Sequence, residues 1–252
     1  MSKYNIARIT FLLALLGCWY LQNFSLAIVI TLVFVGMLSA GAFFIRWNFY
    51  HTSINRVADS SEVFLTFDDG PQEKLTPLII DTLKQHHLKA TFFCIGNKIK
   101  GNEHLLQRMV ADGHVVGVHT WSHSYWFDLF PTVKMKQEIL NTQMEIQRAT
   151  GLFPILFRPP YGVTNPMLAR AMKYTGVTSV GWTIRSLDTI IKSTEKIIAK
   201  ISLLLEPKSI ILLHDTQPIA VEVLQGVIKF CANKNLSIGD IQKYLKCYEH
   251  EK

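Results

Sequence analysis

Between residues 9 and 45 the chain carries no charged side chain, although its 252 residues include 26 Lys and Arg and 19 Asp and Glu. An uncharged apolar stretch of that length marks a membrane segment. Only Gln22, Asn23 and Ser25 interrupt it. One helix over the whole run would be roughly 55 Å long against a hydrocarbon core of about 30 Å, so a single straight span does not fit. The expected solution is a transmembrane helical hairpin with arms 9–21 and 25–45 turning at Gln22 and Asn23. The alternative leaves 25–45 as the one span, with the first arm in the membrane interface.

A cleaved leader fits less well. Lys3 and Arg8 precede the apolar run as they would in a signal peptide, but the run exceeds a signal core and no small-residue cleavage pattern follows its first arm. Lys3 and Arg8 flank one end, Arg46 and Arg56 the other, and the turn has no charge. The positive-inside rule then puts both ends of a hairpin in the cytoplasm, giving an integral protein of the cytoplasmic membrane with its large domain on the cytoplasmic side. A single span would reverse that orientation.

Cysteine is scarce. Cys18, Cys94, Cys231 and Cys247 are too scattered for a disulfide framework or a zinc ribbon, and buried free thiols are the expected account. The net charge of +7 comes from Lys and Arg dispersed singly, without aromatic interleaving or a binding motif. Nucleic acid is therefore not an expected partner, whereas the bilayer and its anionic head groups are. No protein partner is indicated. After residue 60 there is no internal repeat, low-complexity tract or Gly/Pro/Ser-rich linker, so the chain divides into an anchor, 1–56, and one catalytic-sized domain, 57–252.

Past the anchor, short apolar runs alternate with longer amphipathic ones. Strands are expected at 62–67, 90–95, 114–118, 155–158, 177–182 and 209–213, and helices near 75–87, 102–112, 132–150, 165–175, 194–205 and 218–233. Alternating strand and helix implies an α/β fold with a parallel sheet or barrel, whose chemistry belongs at the carboxyl ends of the strands. Asp68 and Asp69, His119 and His123, Arg158, Asp188, and His214 with Asp215 all fall just past proposed strands.

In HTWSH the two histidines are four apart, and a helical first turn would bring both imidazoles to one side. Two His and one carboxylate make a common three-ligand set for a catalytic divalent metal. One Asp ahead of Gly70 and Pro71 is explained as a cap or turn residue. A second adjacent carboxylate adds repulsion unless a cation lies nearby. Arg158 has an ordinary ion-pair reading, His214 a buried-histidine reading and Asp188 a capping reading.

TFDDGP, HTWSH, RPPYG and LLHD, in that order and with KATFFCIG between the first two, resemble the polysaccharide deacetylase (NodB homology) family, carbohydrate esterase family 4. The resemblance covers about 62–245 and implies a distorted (β/α) barrel with fewer than eight regular units. It implies that Asp69, His119 and His123 hold a divalent metal, usually zinc, and that Asp68 is the general base. Arg158 would hold Asp68 charged, and the Tyr161 amide would help stabilise the oxyanion. His214 would be the general acid, paired with Asp188, while Leu212 would line the acyl slot and Pro160 would contribute to the substrate-binding RPPYG segment.

The chain departs from the family pattern at Ser124, where Pro is common, at Arg185, where an earlier Asp is frequent, and at Thr189, where a Trp often walls the acyl pocket. The implied activity is N-deacylation, chiefly N-deacetylation, of an amino sugar in a glycan or lipid-linked saccharide. A cytoplasmic domain favours the lipid-linked form and an external one a wall polysaccharide. O-deacetylation of a polysaccharide and non-catalytic sugar binding at the membrane are the alternatives.

Overall fold

The structure is a computed structural model and describes residues 2–249. The uncharged run forms two helices, α1 (Lys3–Tyr20) and α2 (Phe24–Phe43). The Ser2 hydroxyl caps the first by accepting from the Asn5 N–H at 3.3 Å, and Asn23 Oδ1 caps the second by accepting from the Leu26 N–H at 3.0 Å. Between them Gln22 takes a left-handed φ of 51°, which reverses the chain. The helices pack together, with the Phe11 ring stacked 4.0 Å from that of Phe34. Among the described residues α2 is the one helix both long and apolar enough to cross a bilayer, with a mean hydropathy of 2.4 over its best window.

The domain runs β1 (Ser53–Ile54), β2 (Phe64–Asp68), α3 (Leu75–Gln85), β3 (Thr91–Cys94), α4 (Glu103–Ala111), β4 (Val115–Val118), α5 (Thr132–Thr150), β5 (Phe153–Pro154) and β6 (Leu156–Phe157). It continues through α6 (Pro166–Thr175), β7 (Thr178–Val180), β8 (Ile184–Arg185), α7 (Thr194–Leu204), β9 (Ile210–His214), α8 (Ala220–Asn233) and β10 (Tyr248–Glu249). Eight strands form one curled sheet in the order β1-β7-β6-β4-β3-β2-β9-β8, and every neighbouring pair is parallel. The distorted (β/α) barrel is thus an open half-barrel. The central strands FLTFD and IILLH are covered on both faces, which is why they read as apolar runs without alternation. Phe67, Phe92, Ile79 and Leu83 pack the helix side, while Phe64, Phe93, Leu156 and Ile210 pack the concave side.

Element limits differ from expectation where pairing is distant in sequence. The expected strand 155–158 is split into β5 and β6, because β5 pairs antiparallel with β10 at the far end of the chain. The run 177–182 stops at Val180, and β8 follows beside β9. The segment after His119 is not helical.

Anchor and domain are joined by more than the connecting chain. The Tyr4 ring lies 5.1 Å from that of Tyr50. The Tyr50 hydroxyl donates to the Leu38 carbonyl at 2.9 Å. Thr164 donates through its amide to the Ala42 carbonyl and through its hydroxyl to the Gly41 carbonyl, each at 3.0 Å. Since Thr164 follows RPPYG by one residue, the membrane helix is bonded directly to a loop that borders the cleft.

Candidate active site

Strands β2, β4, β6 and β9 end at one edge of the sheet, and their last or next residues converge there. Asp68 ends β2 beside His214, which ends β9, in direct register. His119 follows β4 and Arg158 follows β6. A cleft of about 180 Å³ lies over these ends, lined by Asp68, Asp69, His119, His123, Leu212 and His214, with Tyr161, Trp182, Arg185 and Thr189 at its walls.

Asp68 is buried and faces Arg158, whose Nη1 donates to its Oδ1 at 2.7 Å. The guanidinium is wholly enclosed and satisfied: Nη1 also donates to Thr66 Oγ1 at 2.7 Å, Nε to the Val180 carbonyl at 3.0 Å and Nη2 to the Gly181 carbonyl at 2.7 Å. It lies 4.3 Å from the Phe93 ring centroid, adding a cation–π contact. Such full bonding is what permits a charge at zero exposure.

Asp69 faces the opposite way. Its Oδ1 lies 3.5 Å from His119 Nε2 and 3.4 Å from His123 Nε2, and the three ligand atoms fall within 4.8 Å of one another. His119 Nδ1 is 2.8 Å from the Arg158 carbonyl, so Nδ1–H donates there and Nε2 keeps its lone pair for the shared centre. Burial, with the neighbouring His119, pushes His123 down to about 4, leaving it neutral near pH 7. Burial acts to raise the Asp69 carboxyl, but the hydrogen bond and charge of His119, with His123 and His214, hold it below the usual carboxylate range. Two neutral imidazole nitrogens and one carboxylate oxygen around one point fit a divalent metal of the zinc type.

On the other side of the cleft, Asp188 Oδ1 lies 2.7 Å from His214 Nδ1, and Asp188 Oδ2 accepts from the His214 amide at 2.9 Å. The Ser186 hydroxyl donates to the same Oδ1 at 2.8 Å. Burial alone would lower His214; the Asp188 hydrogen bond and charge, with Asp68 and Asp69, reverse this and raise it above its ordinary value. Nδ1 is thereby committed to Asp188, and Nε2 is the ring atom left for the cleft.

Five non-glycine residues around the cleft have left-handed φ: Asp69 (75°), Thr120 (62°), His123 (47°), Tyr161 (57°) and Leu187 (62°). Each such residue costs on the order of 1–3 kcal/mol, and such strain concentrates at functional sites. These turns bring His119 and His123 together in place of the expected helical turn, and the Thr120 hydroxyl fixes the bend by accepting from the His123 amide at 3.2 Å. A Glu138 carboxylate on α5 supports the same loop from behind, accepting from the Ser122 amide at 2.8 Å.

Tyr161 and Leu212 border the cleft, whereas Pro160 is buried within its turn and Pro159 takes the lining position. Trp182 was missed by reasoning from motifs. Its one local signal is Gly162, where a Cβ would collide with the Trp182 ring and where φ is 73°. Asp215, beside His214, is fully buried and pushed up to about 7 by burial, with its Oδ2 accepting from the Thr76 hydroxyl at 2.5 Å.

A family profile described as polysaccharide deacetylase matches residues 55–180. The chain is 33% identical over 162 residues to the peptidoglycan-N-acetylglucosamine deacetylase PgdA of Listeria monocytogenes, covering 64% of this chain and 34% of that one, so it spans about a third of that relative's length. It is 35% identical over 164 residues to a chitooligosaccharide deacetylase of Bradyrhizobium sp. (strain ANU 289), covering 64% of this chain and 74% of the relative. Among solved structures, the family 4 carbohydrate esterase from Streptomyces lividans in complex with acetate is 32% identical, with a TM-score of 0.68 over 76% of this chain and 98% of its own. The chitin deacetylase from Colletotrichum lindemuthianum is 25% identical, with a TM-score of 0.74 over 80% and 97%. With the four motifs gathered at one sheet edge on this half-barrel, the chain belongs to the polysaccharide deacetylase (NodB homology) family.

Proposed function

We propose that the chain is a membrane-held, metal-dependent N-deacetylase acting on an N-acetylated amino sugar. The carrying observation is the division between two adjacent carboxylates, Asp68 against Arg158 and Asp69 against two imidazoles, with a protonatable His214 across the cleft. A divalent metal held by Asp69, His119 and His123, with zinc suggested by the ligand set, supplies Lewis acidity toward the acyl carbonyl and acidity toward an attacking water. Asp68, kept ionised by Arg158, takes the proton of that water. The Tyr161 amide donates to the oxygen that gains charge, and Leu212 walls the acetyl methyl. His214, oriented and kept protonated by Asp188, gives its proton to the leaving amine, so water and amide become acetate and amine with protons balanced.

The relatives are named for peptidoglycan N-acetylglucosamine and chitooligosaccharides, which supports an N-acetyl amino sugar here. The first turn of α1 and the end of α2 both touch the domain, which supports a two-span hairpin and, with Lys3, Arg8, Arg46 and Arg56, a cytoplasmic domain. A lipid-linked amino sugar on that leaflet is the substrate form this topology favours. The test is acetate release from N-acetylchitooligosaccharide by the full chain, with bound metal measured alongside. Release that disappears in Asp68→Ala supports the reading. Metal-loaded protein that releases no acetate overturns it in favour of a sugar-binding module.

A further inference from the structure

The cleft does not end at its own walls. Trp182 and Arg185 also line an adjoining groove of about 520 Å³, whose opposite side is the end of α2 and the turn beyond it: Phe43, Phe44, Arg46 and Trp47. Phe43, Phe44 and Trp47 are 70%, 57% and 48% exposed, an apolar rim at the level where a spanning helix leaves the hydrocarbon. Two arginines border the groove. Arg46 Nη1 leans on the Thr183 carbonyl at 3.4 Å, and Arg185 lies 5.9 Å from the Trp182 ring centroid. Neither has a carboxylate partner, while nearby Glu206 is occupied by Arg56. Lys200 donates to the Arg185 carbonyl, adding positive charge.

Resting on the N-deacetylase reading, we infer that this groove binds the phosphate of a polyprenyl-type lipid carrier, and that the sugar deacetylated is the one joined to that phosphate. Three features converge on this occupant. Paired guanidiniums suit a phosphate, which they bind through charge-assisted, often bidentate hydrogen bonds. The aromatic rim suits the first apolar units of a lipid leaving the bilayer. In a 2-acetamido sugar phosphate, the phosphate on C1 and the amide on C2 are on neighbouring carbons, so the two must be held side by side. Arg185 meets that demand, being in register with Leu212 across β8 and β9 and lining both cavities. Its position is one where other family members carry an acidic residue, which would repel such a group.

The test uses the full chain in phosphatidylcholine nanodiscs, following tryptophan fluorescence, since Trp47 and Trp182 face the groove. Farnesyl phosphate should bind saturably and at least tenfold more tightly than farnesol or inorganic phosphate. The Arg46→Gln, Arg185→Gln double variant should lose about tenfold in that affinity, roughly 1.4 kcal/mol. Arg46→Gln alone, at an exposed position, should lose part of it with an unchanged Tm. Equal affinity for farnesol, equal affinity of the variants, or full competition by phosphatidylglycerol would overturn the assignment. Because binding is read without turnover, acetate release from soluble chitooligosaccharide by the same preparation separately tests the deacetylase reading.

Discussion

Asp188 receives two hydrogen bonds from one residue, His214, through the ring Nδ1 at 2.7 Å and the backbone amide at 2.9 Å. The ring can neither flip nor tilt without breaking both, so its tautomer and direction are fixed together. The raised His214 pKa follows from the same carboxylate.

Removing that carboxylate should shift the pH profile in a definite direction. The acid must be protonated to act, and Asp188 extends its protonated range upward. In Asp188→Asn the alkaline limb of kcat should therefore move to lower pH, with the loss at neutral pH partly recovered on acidification. The protonated pair also contributes stability that is full below the unfolded His pKa and lost as pH rises through the raised folded value. Melting curves across that window should lose this slope in the variant.

Asp68 and Asp69 should separate cleanly by metal analysis. Asp69→Asn should lose bound metal. Asp68→Asn should retain it while kcat falls by about 10²–10⁴, the contribution of a positioned general base. Equal metal loss in both would show that the pair has been assigned wrongly.

Arg158 is enclosed beside Asp68, and replacing it with Met leaves that carboxylate buried without its cation. Breaking a buried pair costs roughly 3–5 kcal/mol, a fall of roughly 6–20 °C in Tm for a domain of this size. Arg158→Lys should not restore it, because a single ammonium cannot serve Asp68, Thr66, Val180 and Gly181 in their fixed directions.

Gly162→Ala places a methyl against the Trp182 ring at a φ of 73°. A destabilisation of about 1–3 kcal/mol is expected from the backbone alone. A fall in kcat/KM should accompany it, since Trp182 walls the cleft. Trp182→Ala in the same background should relieve the stability loss, which thermal melts of the single and double variants would reveal.

Much of the site was legible because each motif is contiguous and sits at a strand end, where a parallel sheet gathers its chemistry. Helix α5 was also legible from its period, and the structure has it at Thr132–Thr150. His119 and His123 converge for a different reason from the one expected: left-handed turns at Thr120 and His123 leave no helical pattern to read. Strands β1 and β10 are two residues each and exist through partners far away, as when the Ser53 and Ser179 hydroxyls meet at 2.7 Å. No local window contains that information. The first membrane helix was underestimated because counting only uncharged residues excluded Lys3 to Arg8, which form its first turns. The juxtamembrane groove was not legible because its two walls are more than a hundred residues apart.

The hydrogen bonds from Thr164 to the last turn of α2 make the anchor a structural component of the catalytic loop. A water-soluble fragment beginning after residue 52 would leave the Thr164 amide and hydroxyl without these acceptors and free the segment that carries Tyr161. Its kinetics would describe a different catalyst, so measurements on this protein should begin from the intact chain in lipid.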